Sequence, residues 1–247
     1  MELFYTSREK IDLQAATLAI EGDEFHHLAR VLRKKTGERV LVTDGHGLRC
    51  EARITSVGKK LLEAEILASE MLQRPTTRVT VALALLKAPQ RFDLFLEKAT
   101  ELGVTSIIPL ITARTISQPS NEKLEGKLNR WKSILLSASR QSKRCYLPEL
   151  TEPMAFSRAL KLDGYDIRLM PHELSEAPPE VECCGKNTLF LIGPEGGFTS
   201  SEAEAARGVG FQEISLGRTI LRAETAAIFS VAFVRAQLLA QHQGEWL

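Results

Sequence analysis

Residues 188–202 read TLFLIGPEGGFTSSE, and the way this stretch divides sets the fold class. Thr188 to Ile192 is a run of apolar or β-branched residues, the pattern of a buried strand. Thr199, or Ser201, with a Glu three positions later is a capping box that opens a helix. Gly193 to Gly197 therefore spans a strand-to-helix junction. In open α/β sheets ligands sit outside the carboxyl ends of the strands, where glycines let the backbone come close and a helix N-terminus offers free N–H donors. The loop is a candidate binding loop.

Outward from it the same alternation continues. VTVALALLK (79–87) reads as a buried strand, RFDLFLEKATELGV (91–104) as an amphipathic helix stopped by Gly103, and SIIPLIT (106–112) as the next strand. A long helix follows over 121–143, with Leu124, Leu128, Trp131, Leu135 and Ala138 on one stripe. Then come the helix-like MAFSRALKL (154–162), the strand YDIRLM (165–170), the strand FQEISLG (211–217) and a final helix from about Glu224. Alternating elements predict a mostly parallel sheet covered by helices. From Ala226 to Val234 only Ser230 is polar. That helix should be buried on most sides, either in the middle of the domain or under a second subunit, and the second option, a homodimer, is the expectation.

The first seventy residues have a different texture. In LRCEARI (48–54), Leu48, Cys50, Ala52 and Ile54 alternate with Arg49, Glu51 and Arg53, the period of a half-buried strand. ERVLVTDG precedes it through the turn DGHG, and KLLEAEILASE follows. One helix, EFHHLARVLRKK (24–35), interrupts this antiparallel unit. After the linker MLQRPTTR the pattern changes, which divides the chain into a domain over 1–72 and another over 73–247.

Composition narrows the class. The chain has 247 residues, 44% hydrophobic and 26% charged, enough for a sizeable core. No basic-then-apolar leader opens it, and its most apolar run is far short of the roughly 20 residues that cross a bilayer, so a cytosolic protein without a membrane partner is expected. The four cysteines lack CxxC or zinc spacing, so reduced thiols and no metal are expected. Net charge is +1, yet Gly126 to Pro148 holds six basic residues and no acid, and Phe25 to Gly37 holds four and no acid. Local positive patches on a neutral protein suit a polyanion bound at particular places; two solvated helix faces are the plain alternative.

The glycine loop is no P-loop, since no Lys follows Gly197, and no G-x-G-x-x-G occurs anywhere, which removes support for ATP or NAD. A second loop repeats the device. ISLGRTILRAETA (214–226) closes a strand at Gly217 and leads to the last helix, so two such loops could enclose one ligand between their backbones. Together, LIGPEGGFTSSE and LGRTILRAETA resemble the two signature segments of the bacterial 16S rRNA uridine-N3 methyltransferase family, within the SPOUT (trefoil-knot) methyltransferases. HLARVLR (27–33) and EKATELGVTSIIPL (97–110) extend the resemblance over most of the chain.

The resemblance implies an α/β SPOUT trefoil-knot domain that binds S-adenosylmethionine, a small N-terminal PUA-like β-barrel domain that binds RNA, and a homodimer with its active site close to the subunit interface. It implies as substrate a uridine of 16S rRNA, methylated in the small ribosomal subunit. Another SPOUT-type base or ribose 2′-O methyltransferase, and a non-catalytic RNA-binding assembly factor, are the competing readings. The family usually has Glu before the Gln of the basic helix end, where this chain has Arg140, and an Arg near the N-terminus, where this chain begins Met1-Glu2-Leu3-Phe4-Tyr5.

On that reading, backbone groups from Ile192, Gly193, Pro194, Glu195, Gly196 and Gly197, and from Leu216 and Gly217 through Ile220 and Leu221, hold the cofactor, with Leu169 and Leu221 as apolar walls. Glu195 is read as a ribose acceptor or as a solvated or turn-stabilising side chain, and Thr225 as a cofactor contact or simply as a residue that helps open the last helix. Arg222 is assigned to the charge that develops on the uracil oxygens, because a guanidinium stays protonated and presents several fixed donors. Glu224, the nearest carboxylate, is the candidate base, with pairing to Arg222 or Arg218, or a role in the first helical turn, as alternatives. Arg30, Arg33, Lys34, Arg140, Lys143 and Arg144 are the candidate phosphate contacts. His27 is a candidate RNA contact too, although packing beside the apolar stripe carries more weight.

Overall fold

Glycines and alternating side chains determine where the N-terminal strands turn. The computed structural model describes residues 2–116, 121–173 and 175–241. It resolves into two compact units, one formed by the chain up to Arg74 together with Leu136–Leu147, the other by Pro75–Leu135 and the chain from Pro148 onward.

The first unit carries strands β1 (Leu3–Tyr5), β2 (Ile11–Asp12), β3 (Thr17–Glu21), β4 (Arg39–Thr43), β5 (Leu48–Val57) and β6 (Leu61–Met71) in one sheet of order β1-β4-β5-β6-β3-β2. All pairings are antiparallel except β1 with β4. The expected alternation in β5 holds: Leu48, Cys50, Ala52 and Ile54 are all buried in the core. Between β4 and β5, Asp44 Oδ1 accepts the N–H groups of His46 and Leu48 at 2.8 and 3.2 Å, closing the turn. Gly47 there has φ +102°, and a Cβ on it would lie 2.3 Å from the Tyr146 ring, so no other residue fits. The expected helix over 24–35 is shorter. It runs as α1 (Gly22–His26), widens into a π-helical turn over His27–Val31, and stops where Arg33 takes φ +54°. Phe25 and Leu28 still reach the core. Of the thiols, Cys50 is buried, which pushes its pKa up to about 11 and keeps it inert.

The second unit carries β7 (Arg78–Ala84), α2 (Pro89–Leu102), β8 (Ser106–Ile111), α3 (Asn121–Gln141), β9 (Glu149–Leu150), β10 (Met154–Ala155), α4 (Phe156–Ala159), β11 (Ile167–Pro171), β12 (Asn187–Ile192), α5 (Ser200–Gly208), β13 (Gln212–Ile214) and α6 (Ala223–Ala240). The last turns of α3 belong to the first unit. The sheet has the order β10-β8-β7-β12-β11-β13, with β9 also beside β8, and every pair is parallel. Both faces are covered, as an all-parallel sheet requires. Val79, Val81 and Leu83 pack with α2 and α6 residues on one face, while Ala82, Leu189 and Leu191 pack with α4 and α5 residues on the other. The expected helix at 154–162 is only four residues long, because Met154 and Ala155 pair with β8 first.

Helix α6 is apolar enough by length and composition to cross a membrane. In the fold, Ala227, Val231 and Val234 are buried and Arg235 donates to the Glu101 carbonyl of α2 at 3.0 Å, whereas Phe229 and Leu239 are exposed. The burial on most sides expected from sequence is thus one-sided in the single chain.

Candidate functional site

Strand β12 ends at Ile192, and the chain turns at once. The Gly197 N–H donates to the Pro194 carbonyl at 2.9 Å, with Gly197 at φ +67°. Space at Gly193 is tight: a Cβ there would lie 3.2 Å from Gly197 C and Phe198 N. The capping box forms as expected at Thr199, whose side chain accepts from Glu202 N at 3.2 Å while its own N–H donates to Glu202 Oε2 at 2.9 Å. The other oxygen of Glu202 accepts the Ala113 N–H at 2.8 Å, and Arg114 donates to the Gly196 and Phe198 carbonyls. The segment after β8 therefore braces the glycine loop, a support that nothing local in sequence signals.

The second loop leaves β13 and turns at Gly217, φ +115°. Arg222 then caps α6 with extended backbone angles, and its carbonyl accepts the Ala226 N–H at 2.8 Å. The two loops meet. Ile192, Gly193, Pro194, Glu195 and Gly197 of the first and Ile220, Leu221, Arg222 and Ala223 of the second line one cleft of about 300 Å³, closed by Pro171, Glu173 and Arg91. Leu216, Gly217 and Arg218 line an adjoining pocket of about 120 Å³ with His172. The cleft lies beyond the carboxyl ends of β7, β11 and β12, where the order of sequence reverses across the sheet.

Four expected site residues stand elsewhere. Leu169 is fully buried in the core, because β11 runs two residues further before the cleft opens; Pro171 supplies the wall instead. Gly196 is exposed at the loop tip, its carbonyl taken by Arg114, and Thr225 is exposed on the first turn of α6. Glu224 is 5% exposed and is not among the residues that line the cleft. Its Oε1 lies 3.7 Å from Arg91 Nε, and its Oε2 is sealed from solvent with no hydrogen-bond partner.

Arg91, which the sequence reading did not single out, also lines the cleft. It sits between carboxylates from both loops, 3.8 Å from Glu195 Oε1 and 3.7 Å from Glu224 Oε1. Glu195 is fixed in turn by the Lys87 N–H at 3.1 Å. One local signal exists. Arg91 lies in the first turn of α2, which holds no acid, and a cation there opposes the helix dipole unless something compensates.

In the first unit, Arg30, Arg33 and Lys143 are exposed, and Lys34 pairs with Glu38 at 3.0 Å. His27 is half-buried with its ring 6.3 Å from that of Phe4, in keeping with the packed alternative. Arg144 is 3% exposed, so its placement among the phosphate contacts is corrected: a buried guanidinium cannot meet a backbone phosphate. Arg140 is committed to Glu24 at 2.5 Å. Burial pushes the Glu24 carboxyl above its ordinary value, and Arg140 and the Tyr5 N–H offset this only in part. A carboxyl raised on folding stabilises the fold below its unfolded value, near 4.5, and that contribution is lost as pH rises through the folded value. Chemical denaturation across that range should show a falling stability that Glu24→Gln flattens; an unchanged slope would remove Glu24 as its source.

The chain matches the RNA methyltransferase domain family over residues 73–235 and the RNA methyltransferase PUA domain family over residues 20–67. It is 34% identical over 230 residues to the ribosomal RNA small subunit methyltransferase E of Synechocystis, covering 90% of this chain and 74% of the relative. To the protein of the same name from Mycobacterium tuberculosis it is 30% identical over 239 residues, covering 94% and 90%. Among solved structures, the Neisseria gonorrhoeae ribosomal RNA small subunit methyltransferase E bound to S-adenosyl methionine superposes with a TM-score of 0.85 at 30% identity, covering 96% of this chain and 97% of the other. A Legionella pneumophila methyltransferase with bound cofactor gives 0.82 at 29%, covering 95% and 96%.

Proposed function

Because the chain belongs to the RNA methyltransferase family that includes the ribosomal RNA small subunit methyltransferases E, we propose that it methylates N3 of one uridine of 16S rRNA, with S-adenosylmethionine as donor. The observation that carries this reading is the convergence of both glycine loops on one cleft with Arg222 at its rim. The cleft suits the donor: close backbone approach at Gly193, apolar walls from Ile192, Pro194 and Leu221, and charged side chains from Arg91, Glu173, Glu195 and Arg222. The cofactor supplies an electrophilic methyl group on a sulfonium. The protein supplies position and charge. Arg222 is exposed and, among the described residues, its guanidinium makes no ion pair, so it is available to the oxygens flanking N3 as negative charge develops there. Arg30, Arg33 and Lys143 are the exposed cations suited to phosphates.

The reading includes a cytoplasmic location, a PUA-like RNA-binding unit over residues 1–72 and a knotted methyltransferase unit over 73–247. Two features favour the knot. The connector from β13 to α6 meets the one from β11 to β12, where Ser215 N–H donates to the Ala177 carbonyl at 2.7 Å. From the edge strand β13, α6 then returns to the sheet centre against β7 and β12, and Gln237 ties it to Val181 and Cys183 at 2.8 Å.

A homodimer through α6 is part of the same reading, supported by the exposed Phe229 and Leu239 on a helix whose other side is packed. Phe229→Glu should convert the protein to a monomer by light scattering and lower activity with it; an unaltered mass would move the interface elsewhere.

The function is tested by incubating the protein with labelled cofactor and small ribosomal subunits from a strain lacking the modification, then mapping the label. N3-methyluridine at one 16S position is expected. Label on another base, on a ribose 2′-oxygen, or on no RNA would overturn it.

A further inference from the structure

We propose that Arg91 and Glu195 form a receptor for the zwitterionic amino-acid end of the methyl donor, with Glu224 as the positioning residue behind Arg91. The proposal rests on the cofactor reading of the cleft and assigns a part of it that the glycine loops do not explain.

Arg91 lines the cleft and its side chain is partly exposed there. Its two carboxylate neighbours stand at 3.7 and 3.8 Å, whereas a charge-assisted N–H···O bond is about 2.7–2.9 Å long. Among the described residues the guanidinium donates no hydrogen bond. Five N–H donors in a fixed fork thus face a cleft without being used, next to charges that keep them in place. An ion pair at this spacing on a partly exposed side chain contributes little stability, so it does not account for a cation set against the dipole of α2.

Glu195, 3.8 Å from Arg91, lines the cleft with Glu173 and Arg222, while Glu224 stands 3.7 Å from Arg91 with its side chain 93% buried. A guanidinium beside a cleft-lining carboxylate is complementary to an α-amino acid: the fork takes the ligand carboxylate and Glu195 takes the ammonium. A phosphate, with no cationic partner for Glu195, matches the pair less well. Glu224 is buried and does not line the cleft. Its charge holds the Arg91 guanidinium toward the cleft from the apolar side, where an unpaired carboxylate would be costly.

Calorimetry with two nucleosides tests this without turnover. S-adenosylhomocysteine carries the amino-acid end, and 5′-methylthioadenosine lacks it. Arg91→Met should weaken S-adenosylhomocysteine at least about tenfold and leave methylthioadenosine within about twofold, with Arg91→Lys in between. Glu224→Gln should reduce the same preference by a smaller factor, and Glu224→Asp should restore part of it. Equal weakening of both nucleosides would make Arg91 a shaper of the pocket and overturn the proposal. No weakening of either would also overturn it, leaving the fork for an RNA phosphate. If neither nucleoside binds the unaltered protein, the cofactor reading itself fails, and that outcome is distinct from the other two.

Discussion

Arg222→Ala should lower kcat by about two to three orders of magnitude while moving cofactor Kd by less than about threefold. The residue caps α6 with extended backbone, and the Ala226 N–H on its carbonyl fixes where the side chain departs. Its guanidinium is therefore aimed by the helix start rather than by a partner. A donor that acts on charge present only in the transition state affects turnover, not ground-state binding. Arg222→Lys should recover a small part of the rate, since a point charge replaces a fork. Single-turnover methylation and calorimetry check this together. A cofactor affinity that falls as far as kcat would place Arg222 in the cofactor pocket.

Gly193→Val should raise cofactor Kd at least about a hundredfold with only a modest loss of stability, on the order of 1–2 kcal/mol. The first added carbon already meets backbone atoms of Gly197 and Phe198 at 3.2 Å, before the two methyl groups are counted. Those atoms cannot retreat freely, because the turn is closed by Gly197 N–H on the Pro194 carbonyl and braced by Arg114. The loop must open, and with it the wall of the cleft. Gly196→Ala is the control in the same loop: its nearest neighbour would be the flexible Arg114 side chain at 3.5 Å, so affinity should stay within about threefold. If Gly193→Val binds the nucleoside as the unaltered protein does, the first loop does not form the cofactor wall.

The loops were legible because each is a local device. In the first a strand run, glycines and a capping box lie within fifteen residues, and in the second a strand closes at Gly217 just ahead of the last helix, so period and turn chemistry suffice to find them. Misplaced residues failed for the opposite reason. Leu169 reads the same in sequence whether it ends a strand at a cleft or lies two residues inside it. Arg144 belongs to a basic run, yet it is buried. The helix of the first unit is shorter than its apolar stripe suggests, because a π-helical turn changes the period midway.

By itself, then, the sequence determined a two-part chain with a parallel sheet, two glycine-marked loops at strand ends and, through its motifs, the family. Tertiary structure alone decided which charges meet. Arg91 stands between Glu195 and Glu224, and Ala113 and Arg114 hold a loop 82 to 89 residues further along the chain. Hydrophobic periodicity reports how an element faces the core, which is a property of neighbours in sequence. Charge pairing depends on which strand ends the sheet order brings side by side, and no local spacing encodes that order.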